Sequence, residues 1–456
     1  GGVMMGTQAA PERLFYDFCL EDHVPGDHLL RCIDRFLDLS DVRQRLRPFY
    51  CSIGRPSVDP ELMMRMLIIG YCCGIRSERR LCEEVHLNLA YRWLCRLGLD
   101  GQVPDHSTFS RNRHGRFRQS NILRHLFEMV VRRCMTEGLV GGEGFAVDAS
   151  LIEADANKQR SVPGQAWSVA DISANACQAV KDYLATLDDA AFGAASDVVP
   201  KFVSPSDPAA QWTGARRGPA FFAYANNYLI DTANAVILDV EASRAIRQAE
   251  VGAARAMLDR VADRFGVKPA RLAGDSAYGA ATMLAWLVNE KQIAPHIPVF
   301  DKSKREDGTF SRADFKWDAD RNLFVCPKGK MLKSTGKVHD GRTRLYRASK
   351  LDCDPCSLKP RCCPNTPSRK IPRDINEEAR DAARALYDTP AFDQSRRERK
   401  KVEMLFAHLK RILKLGRLRL RGPYGAQDEF LLAATAQNLR KLAKLRPEPP
   451  PAMQLA

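Results

Sequence analysis

Gly144-Phe145-Ala146-Val147-Asp148 is a short apolar segment that ends on a carboxylate. Such a run is typical of a buried β-strand, and an acidic residue at its end would emerge from the sheet. A second run of the same kind, Ala270 to Gly274, leads into Asp275. The two segments therefore predict two strands, each followed by an aspartate.

The residues around these strands predict the other elements of a sheet. Segments 220–231 and 235–241 have the pattern of a strand pair around a polar turn, and segment 247–265 has that of a helix. Three strands, a helix and a strand in this order match a ribonuclease-H-like core. We therefore predict an α/β fold with a ribonuclease-H-like mixed sheet flanked by helices. Segment 155–218 is predicted to be an insertion, helical in its first half and loop in its second.

Asp148 and Asp275 are candidate metal ligands. Mg²⁺ prefers hard oxygen donors and is usually held by only a few carboxylates, with water and substrate in its other positions. Carboxylates that emerge from strand ends suit this chemistry. Taken singly, an aspartate in such a position is more often a turn residue or a helix cap.

A third carboxylate lies on a helix that is predicted to begin near Asp393. Arg399, Glu403 and Lys410 are separated by steps of four and seven residues, which places them on one helix face. Apolar residues nearby indicate a packed helix, namely Val402, Leu405, Phe406 and Leu409. A solvated helix face carries the same charged residue types, so this helix alone does not define a site.

The three carboxylates together resemble the catalytic residues of an enzyme family. Asp148, Asp275 and the pattern Arg399-x3-Glu403-x6-Lys410 resemble the triad and C-terminal signature of DDE transposases of bacterial insertion sequences. The resemblance covers nearly the whole chain. The long separation of the second and third carboxylates is similar to that in family members with a β-rich insertion at this place.

Other segments extend the resemblance. Gly274 to Gly279 is similar to the strand and turn that carry the family's second aspartate. Segment 14–117, including Gly54-Arg55-Pro56 and residues 105–110, resembles the family's helical N-terminal domain. The sequence departs from the family at Arg396, where a tyrosine often stands. That departure concerns an auxiliary role and not metal binding.

The resemblance implies a DNA transposase that binds the ends of its insertion sequence and catalyses strand cleavage and strand transfer. Asp148, Asp275 and Glu403 would hold two Mg²⁺ or Mn²⁺ ions for phosphodiester hydrolysis and transesterification. Arg399 and Lys410 would contact DNA near the scissile phosphate. The implied partners are double-stranded DNA, as terminal repeats and as target, and a second copy of the chain in a homodimer. A ribonuclease-H-like nuclease without transposition and a catalytically inactive DNA-binding regulator remain as alternatives.

The charge balance favours a nucleic-acid partner. Lys and Arg number 70 against 55 Asp and Glu, a formal net charge of +15, which suits a polyanion. Arg397 and Lys400, in the basic run 396–401, predict sequence-independent contacts with the DNA backbone. Arg111 and Arg113 lie on a short basic helix whose N-terminal end is predicted to meet DNA. An ordinary basic protein with solvated arginines is the other interpretation.

The chain of 456 residues divides into four predicted parts. Residues 1–12 and the Pro-rich tail 446–456 are predicted to be disordered. Residues 13–138 are predicted to form an all-helical, DNA-binding domain. Its predicted helices include 77–97, 107–116 and one that begins at the cap Asp59-Pro60. Residues 139–445 are predicted to form the DDE catalytic domain, with insertions at about 155–218 and about 300–375. Segment 310–347 of the second insertion is predicted to form short strands and turns.

The second insertion contains a cysteine pattern. Cys326, Cys353, Cys356 and Cys362 have a spacing that suits a tetrahedral structural Zn²⁺ site, with Cys363 redundant. Reduced thiols packed in a turn-rich segment are the other interpretation. The other nine of the 14 cysteines lie mostly in apolar helical stretches and are predicted to be core residues.

No segment predicts a membrane role. The longest apolar run, Leu62 to Ile75, is interrupted by Arg65 and is shorter than the roughly 20 residues that a bilayer crossing needs. The first residues lack the pattern of a secretory signal. We therefore expect a cytoplasmic bacterial protein that associates with the nucleoid when it is bound to DNA.

Overall fold

The computed structural model describes residues 18–51, 57–169, 176–214, 218–300 and 305–446. Helices and strands are mixed along these residues, which confirms the predicted combination of a sheet with helices. The predicted disordered leader 1–12, segment 54–56 and residues 447–456 of the predicted tail lie outside the described residues. Within the described ranges, no helix has both the length and the apolar content that crossing a bilayer requires.

The helices between residues 20 and 184 are mostly short. They are α1 (Leu20–His23), α2 (Leu29–Asp34), α3 (Val42–Leu46), α4 (Pro60–Cys72), α5 (Glu78–Leu87), α6 (Leu89–Leu94), α7 (Ser107–Asn112), α8 (Arg118–Ser120), α9 (Ile122–Thr136) and α10 (Gln178–Leu184). The later helices are α11 (Arg247–Phe265), α12 (Ala281–Ala285), α13 (Lys350–Cys353), α14 (Lys359–Cys362), α15 (Glu377–Ala385), α16 (Pro390–Arg411) and α17 (Gly422–Leu445).

The strands fall into a central group and a later group. The first are β1 (Gly144–Glu153), β2 (Val162–Pro163), β3 (Phe202–Val203), β4 (Gln211–Thr213), β5 (Phe221–Asp231), β6 (Val236–Arg244), β7 (Arg271–Ala273) and β8 (Ala294–His296). The later strands are β9 (Lys316–Asp318), β10 (Leu323–Val325), β11 (Met331–His339), β12 (Thr343–Ala348) and β13 (Lys370–Asp374).

The central sheet has the strand order β6-β5-β1-β7-β8, and β4 pairs with the first residues of β5. β5 runs antiparallel to both β1 and β6, whereas β7 runs parallel to β1 and β8 parallel to β7. The predicted strand pair, the helix 247–265 and the strand before Asp275 are confirmed. β1 is longer than predicted, because it continues past Asp148 to Glu153.

Burial explains why these segments form a central sheet. Phe145, Ala146 and Val147 are at most 1% exposed, and nearly every residue of β5 is buried. Strands that are covered on both faces have continuous apolar runs instead of alternating ones. Helix α11 packs on β5 and β6, and helix α16 packs on β1. The two helices thereby reach the part of the sheet that carries Asp148.

The described residues form two compact units, 18–130 with 439–446 and 131–438. The first unit is helical. Helix α4 supplies much of its core, and it begins as the sequence predicts, with Asp59 accepting a hydrogen bond from the Glu61 N–H at 2.9 Å and proline in the first turn. Arg65, a buried charged residue of α4, is held by Asp34 at 2.8 Å and by Glu61 at 3.0 Å.

The second unit also contains a small antiparallel sheet in the order β13-β12-β11-β10-β9. Its core is a compact cluster of buried residues, namely Phe315, Phe324, Leu332, Tyr346, Ala348, Cys362, Cys363 and Ile371. The predicted short strands and turns of segment 310–347 are confirmed. A core of this size is small for an independent unit, which usually needs a further source of stability.

Several predicted helices have different bounds. The predicted helix 77–97 is two helices, α5 and α6, because Asn88 accepts hydrogen bonds from the Ala90 and Tyr91 N–H groups and so begins a new helix. In the described part of insertion 155–218, the first half contains α10, two short 3₁₀ turns and strand β2, and the second half contains strands β3 and β4 where only loop was predicted. Helix α16 begins at Pro390 and not near Asp393, because Thr389 caps it.

Candidate active site

Asp148 and Asp275 lie just past the parallel pairing of β1 and β7. The last paired residues of the two strands are Ala146 and Ala273. Each aspartate follows its paired residue by two positions, and the Asp275 carboxylate is close enough to raise the pKa of Asp148. The sheet therefore joins two carboxylates that are far apart in sequence.

The local backbone gives each aspartate a different setting. Asp148 lies inside β1, not at its end as the sequence suggests, but β7 ends at Ala273 and leaves this position of β1 without its parallel neighbour. Asp275 starts the turn after β7, and its Oδ1 accepts a hydrogen bond from the Ala277 N–H at 2.8 Å. Both carboxylates are thus presented where the parallel pairing stops.

Burial and two neighbouring carboxylates determine the electrostatic environment of Asp148. The pKa of Asp148 is raised to about 6, mainly by burial and in smaller part by the carboxylates of Asp275 and Glu403. The Ala149 N–H, which donates to Asp148 Oδ1 at 2.8 Å, and the Arg399 guanidinium both oppose the rise. A cation close to these carboxylates would relieve their mutual repulsion.

Arg399 connects the third carboxylate to the first. Its Nη1 lies 3.4 Å from Asp148 Oδ2, and its Nη2 lies 3.4 Å from Glu403 Oε1. The Glu403 side chain is 57% exposed, whereas that of Asp148 is 20% exposed. In this structure the guanidinium supplies the positive charge between the two carboxylates.

Packing of helix α16 on the sheet fixes the position of Arg399 and Glu403. Val402 and Leu409 are fully buried on the helix face towards the protein. Phe406 stacks on Tyr228 with ring centroids 4.9 Å apart, and Tyr228 is the β5 partner of Asp148 in the antiparallel register. The charged residues of α16 therefore reach the site because an apolar face of the same helix is anchored beside it.

The chemistry of the donors suits a hard divalent cation. Asp148, Asp275 and Glu403 offer only oxygen ligands, which Mg²⁺ and Mn²⁺ prefer. The raised pKa of Asp148 is a direct sign of a negative charge that burial and its neighbours disfavour. Across the part of the chain that the structure describes, however, no group of three or more His, Cys, Asp or Glu side chains is arranged so that it could hold a metal ion, which applies to the cysteines as well as to the carboxylates. Metal binding by the three carboxylates therefore requires Arg399 and Glu403 to change position.

The other predicted DNA-contacting residues of helix α16 lie on its surface. Arg397, Lys400 and Lys410 are exposed. Arg396, at the position where the family often has tyrosine, is also exposed and pairs with Asp393 at 2.9 Å. The helix thus presents a basic surface on the side of α16 that is not buried.

Arg111 and Arg113 of the helical unit differ in their exposure to solvent. Arg111 is exposed and lines an open cavity of about 560 Å³ together with Arg116. Arg113 is 4% exposed and forms an ion pair with Glu78. Helix α7 also ends at Asn112, before Arg113, where a π-helical turn follows. The prediction that Arg113 contacts DNA has no support from this placement, because its charge is already neutralised inside the unit.

Five cysteines converge in the small sheet. Cys326, Cys353, Cys356, Cys362 and Cys363 line one cavity of about 30 Å³. The Lys330 N–H donates to Cys326 Sγ at 3.3 Å, and burial raises the pKa of Cys362 to about 11. All 14 cysteines of the chain are free thiols. The thiols that the sequence groups by spacing are therefore neighbours in space.

The sequence interpretation missed two residues beside the aspartates. Glu250 lies in the first turn of α11, and its pKa is raised to about 7, mainly by burial and also by the Asp275 and Asp148 carboxylates. Tyr278 is 1% exposed. An acidic residue in a first helical turn is ordinary, because it complements the helix dipole. Nothing in the local pattern therefore distinguished Glu250 from a surface residue.

Comparisons with known proteins bear on both parts of the chain. A family model described as "Transposase domain (DUF772)" matches residues 18–115, and a model described as "Transposase DDE domain" matches residues 325–443. The second match includes Glu403 and the five cysteines, whereas Asp148 and Asp275 lie outside it. A solved piggyBac transposase synaptic complex with hairpin DNA is similar over 93% of this chain and 83% of that chain, at 9% identity and a TM-score of 0.34.

Proposed function

We propose, from the premise that this chain is a DDE-type transposase, that it binds the ends of a bacterial insertion sequence and catalyses strand cleavage and strand transfer there. The observation that supports the proposal is the parallel pairing of β1 and β7, since Asp148 and Asp275 each follow the last paired residue of their segment by two positions. Glu403 approaches the same place on helix α16, within reach of the Arg399 guanidinium that also contacts Asp148.

Asp148, Asp275 and Glu403 are proposed to hold two divalent cations, Mg²⁺ or Mn²⁺. Ions bound there would activate water or a 3′-hydroxyl and stabilise the leaving oxygen of the phosphodiester. Asp148 is proposed to contribute to the binding of both ions, because the carboxylates of Asp275 and Glu403 both raise its pKa. Arg399 then releases its two carboxylates and becomes free to contact a DNA phosphate.

DNA is proposed to lie along the basic surface of helix α16. Arg397, Lys400 and Lys410 are exposed there and would contact the backbone without reading sequence. In the helical unit, the open cavity beside Arg111 is the proposed contact with the terminal repeat. Arg113 is left out of this proposal, because it is buried against Glu78.

A ribonuclease-H-like core is the proposed fold of the catalytic part. The support is the element order, with three antiparallel strands followed by α11 and then by parallel strands β7 and β8. The proposed domain limits stay those of the sequence, a DNA-binding domain at 13–138 and a catalytic domain at 139–445. A homodimer acting on paired ends, and a location in the cytoplasm at the nucleoid, remain predictions.

Structural zinc is the proposed occupant of the cysteine cavity. Cys326, Cys353, Cys356 and Cys362 are the proposed ligands, and their shared cavity supports the proposal. Buried thiols with raised pKa values stay protonated at neutral pH unless a metal displaces the protons. Metal analysis of the purified chain distinguishes the two interpretations: one zinc ion per chain supports the site, and a metal-free chain supports simple packing of the thiols.

The test of the proposed function is cleavage and joining of a DNA fragment that carries the element's ends, in Mg²⁺. We expect the wild type to cut and join, and Glu403→Gln to bind DNA but do neither. Glu378→Gln, an exposed glutamate of α15, is the matched control and should behave as the wild type.

Each contrary outcome favours a named alternative. Cutting by the wild type without joining indicates a nuclease that does not transpose. DNA binding without cutting by any form indicates an inactive regulator. Equal activity of the wild type and Glu403→Gln removes Glu403 from the proposed triad.

A further inference from the structure

Helix α11 is fastened to the turn that carries Asp275. Arg247, in its first turn, donates from Nε to the Ala277 carbonyl at 2.7 Å and from Nη2 to the Ser276 carbonyl at 3.2 Å. Both carbonyls belong to the turn directly after Asp275. Residues three apart share a helix face, so Glu250 lies on the same face of α11 as Arg247. The helix thereby brings a further carboxylate towards the two aspartates.

The Glu250 carboxylate has an unfavourable environment in the protein alone. It is partly buried, and its side chain makes no hydrogen bond or ion pair with any residue that the structure describes. The two charges that act on it, those of Asp275 and Asp148, have the same sign as its own. Burying an unpaired carboxylate beside like charges costs free energy. A compensating ligand would account for its position.

Tyr278 is a second, independent sign of a ligand at this place. Its ring is 1% exposed, and its hydroxyl has no hydrogen-bond partner among the described residues. Burial is the main cause that raises the pKa of Tyr278, and the nearby carboxylates of Glu250, Asp148 and Asp275 add to the rise. Buried hydroxyl groups are nearly always hydrogen-bonded. The Tyr278 hydroxyl therefore lies near the same group of carboxylates and lacks a partner among the described residues.

We propose that Glu250 is a fourth carboxylate ligand of the divalent-metal site of Asp148 and Asp275, with the Tyr278 hydroxyl hydrogen-bonding to the hydrated ion. The inference rests on the proposed metal-dependent function and adds a residue from α11 to it. Glu250 approaches from a helix that is already held by Arg247, whereas Glu403 is exposed and engaged with Arg399. Metal binding by the free protein should therefore depend more on Glu250 than on Glu403.

The test is Mn²⁺ binding by the full chain without DNA. Binding is measured as the loss of the free Mn²⁺ signal in electron paramagnetic resonance. We expect Glu250→Gln to weaken Mn²⁺ binding about 10-fold or more, which is the usual range for loss of a group that supports a metal ligand set. Glu378→Gln is the matched control and should bind as the wild type. Glu403→Gln should have a smaller effect than Glu250→Gln.

The shift in Tm that Mn²⁺ causes is a second measure of binding, and it also shows whether each variant is folded. Glu250→Gln is isosteric and removes a like charge, so it should fold at least as well as the wild type. Mn²⁺ should raise the Tm of the wild type and of Glu378→Gln, and should raise that of Glu250→Gln much less.

Asp148→Asn separates the failure of this inference from the failure of the proposed function. Loss of Mn²⁺ binding in Asp148→Asn with unchanged binding in Glu250→Gln would overturn the role of Glu250 and leave the metal site intact. Unchanged Mn²⁺ binding in both variants, or no Mn²⁺ binding by the wild type, would overturn the inference together with the metal site on which it rests.

Discussion

The carboxylate site and the cysteine cavity are two proposed metal sites with opposite relations to their surroundings. Asp148, Asp275 and Glu250 lie on or beside a central sheet with a continuous buried core, and burial next to like charges disfavours the charged forms of Asp148 and Glu250. The five cysteines belong to a small sheet with few buried residues, and their neutral thiols form part of its core. The carboxylate site should therefore lower the stability of the metal-free protein and serve catalysis. The cysteine site should raise the stability of the small sheet and take no part in catalysis.

The largest expected effect is on catalysis at the carboxylate site. Asp148→Asn should lower strand cleavage and joining by roughly 10²–10³-fold or more, the scale seen when one preorganised group that stabilises transition-state charge is removed. The same variant should unfold at the same temperature as the wild type or a higher one, because it removes a disfavoured charge. Assays of cleavage and of Tm on one preparation check both parts. A large drop in Tm would show that Asp148 is a structural residue.

The next effect concerns stability at the cysteine cavity. Cys356→Ser, or removal of zinc with a chelator, should make residues 316–374 sensitive to protease, because bound metal contributes folding free energy directly. The β1 and β5 segments should stay protected. Hydrogen exchange followed by mass spectrometry reports both regions in one experiment.

Cys177→Ser is the matched control for this second comparison. Cys177 is an exposed thiol far from the cavity in sequence, and its substitution should leave the small sheet unchanged. Equal protection of residues 316–374 in Cys356→Ser and Cys177→Ser would contradict a structural zinc site.

A smaller effect is expected on the pH dependence of metal-free stability. The folded-state pKa values of Asp148 and Glu250 are raised to about 6 and about 7. Each therefore contributes stability that is fully present below its unfolded-state pKa and is lost as the pH rises through the folded-state value. We expect the free energy of unfolding to fall by on the order of 1–3 kcal/mol between about pH 4 and pH 8.

The double variant Asp148→Asn/Glu250→Gln serves as the reference for this pH effect. Its urea unfolding curves should vary less over the same pH range, since neither position can then titrate. A wild-type protein whose stability rises from pH 5 to pH 8 would contradict the raised pKa values.

The smallest effect concerns DNA affinity at helix α16. Lys400→Ala should weaken DNA binding about equally for all sequences, and it should reduce the slope of log K against log salt by about 1. Lys337→Ala, an exposed lysine of the small sheet, should leave that slope unchanged. Fluorescence anisotropy at several salt concentrations provides the slopes. Equal slopes for both variants would remove Lys400 from the DNA-contacting surface.

Whether a segment forms a helix or a strand could be predicted where the pattern of its own residues decides it. The helix 247–265 and the strand before Asp275 follow from apolar periodicity over a single segment, and the structure has them there. The break at Asn88 was missed because a side-chain cap can interrupt a continuous helical pattern. Arg113 was assigned to a surface because its local sequence is basic, although Glu78 neutralises it inside the unit.

The sequence by itself determined the residue types of this protein and their local elements: short apolar strands next to Asp148 and Asp275, an amphipathic helix with Glu403, and a group of cysteines. Only the tertiary structure decided which of these meet. The parallel pairing of β1 with β7, the bridge from Arg399 to two carboxylates and the approach of Glu250 on α11 all join distant segments. The physical reason is that periodicity records which side of an element is buried, whereas register and helix docking depend on the partner against which that side packs.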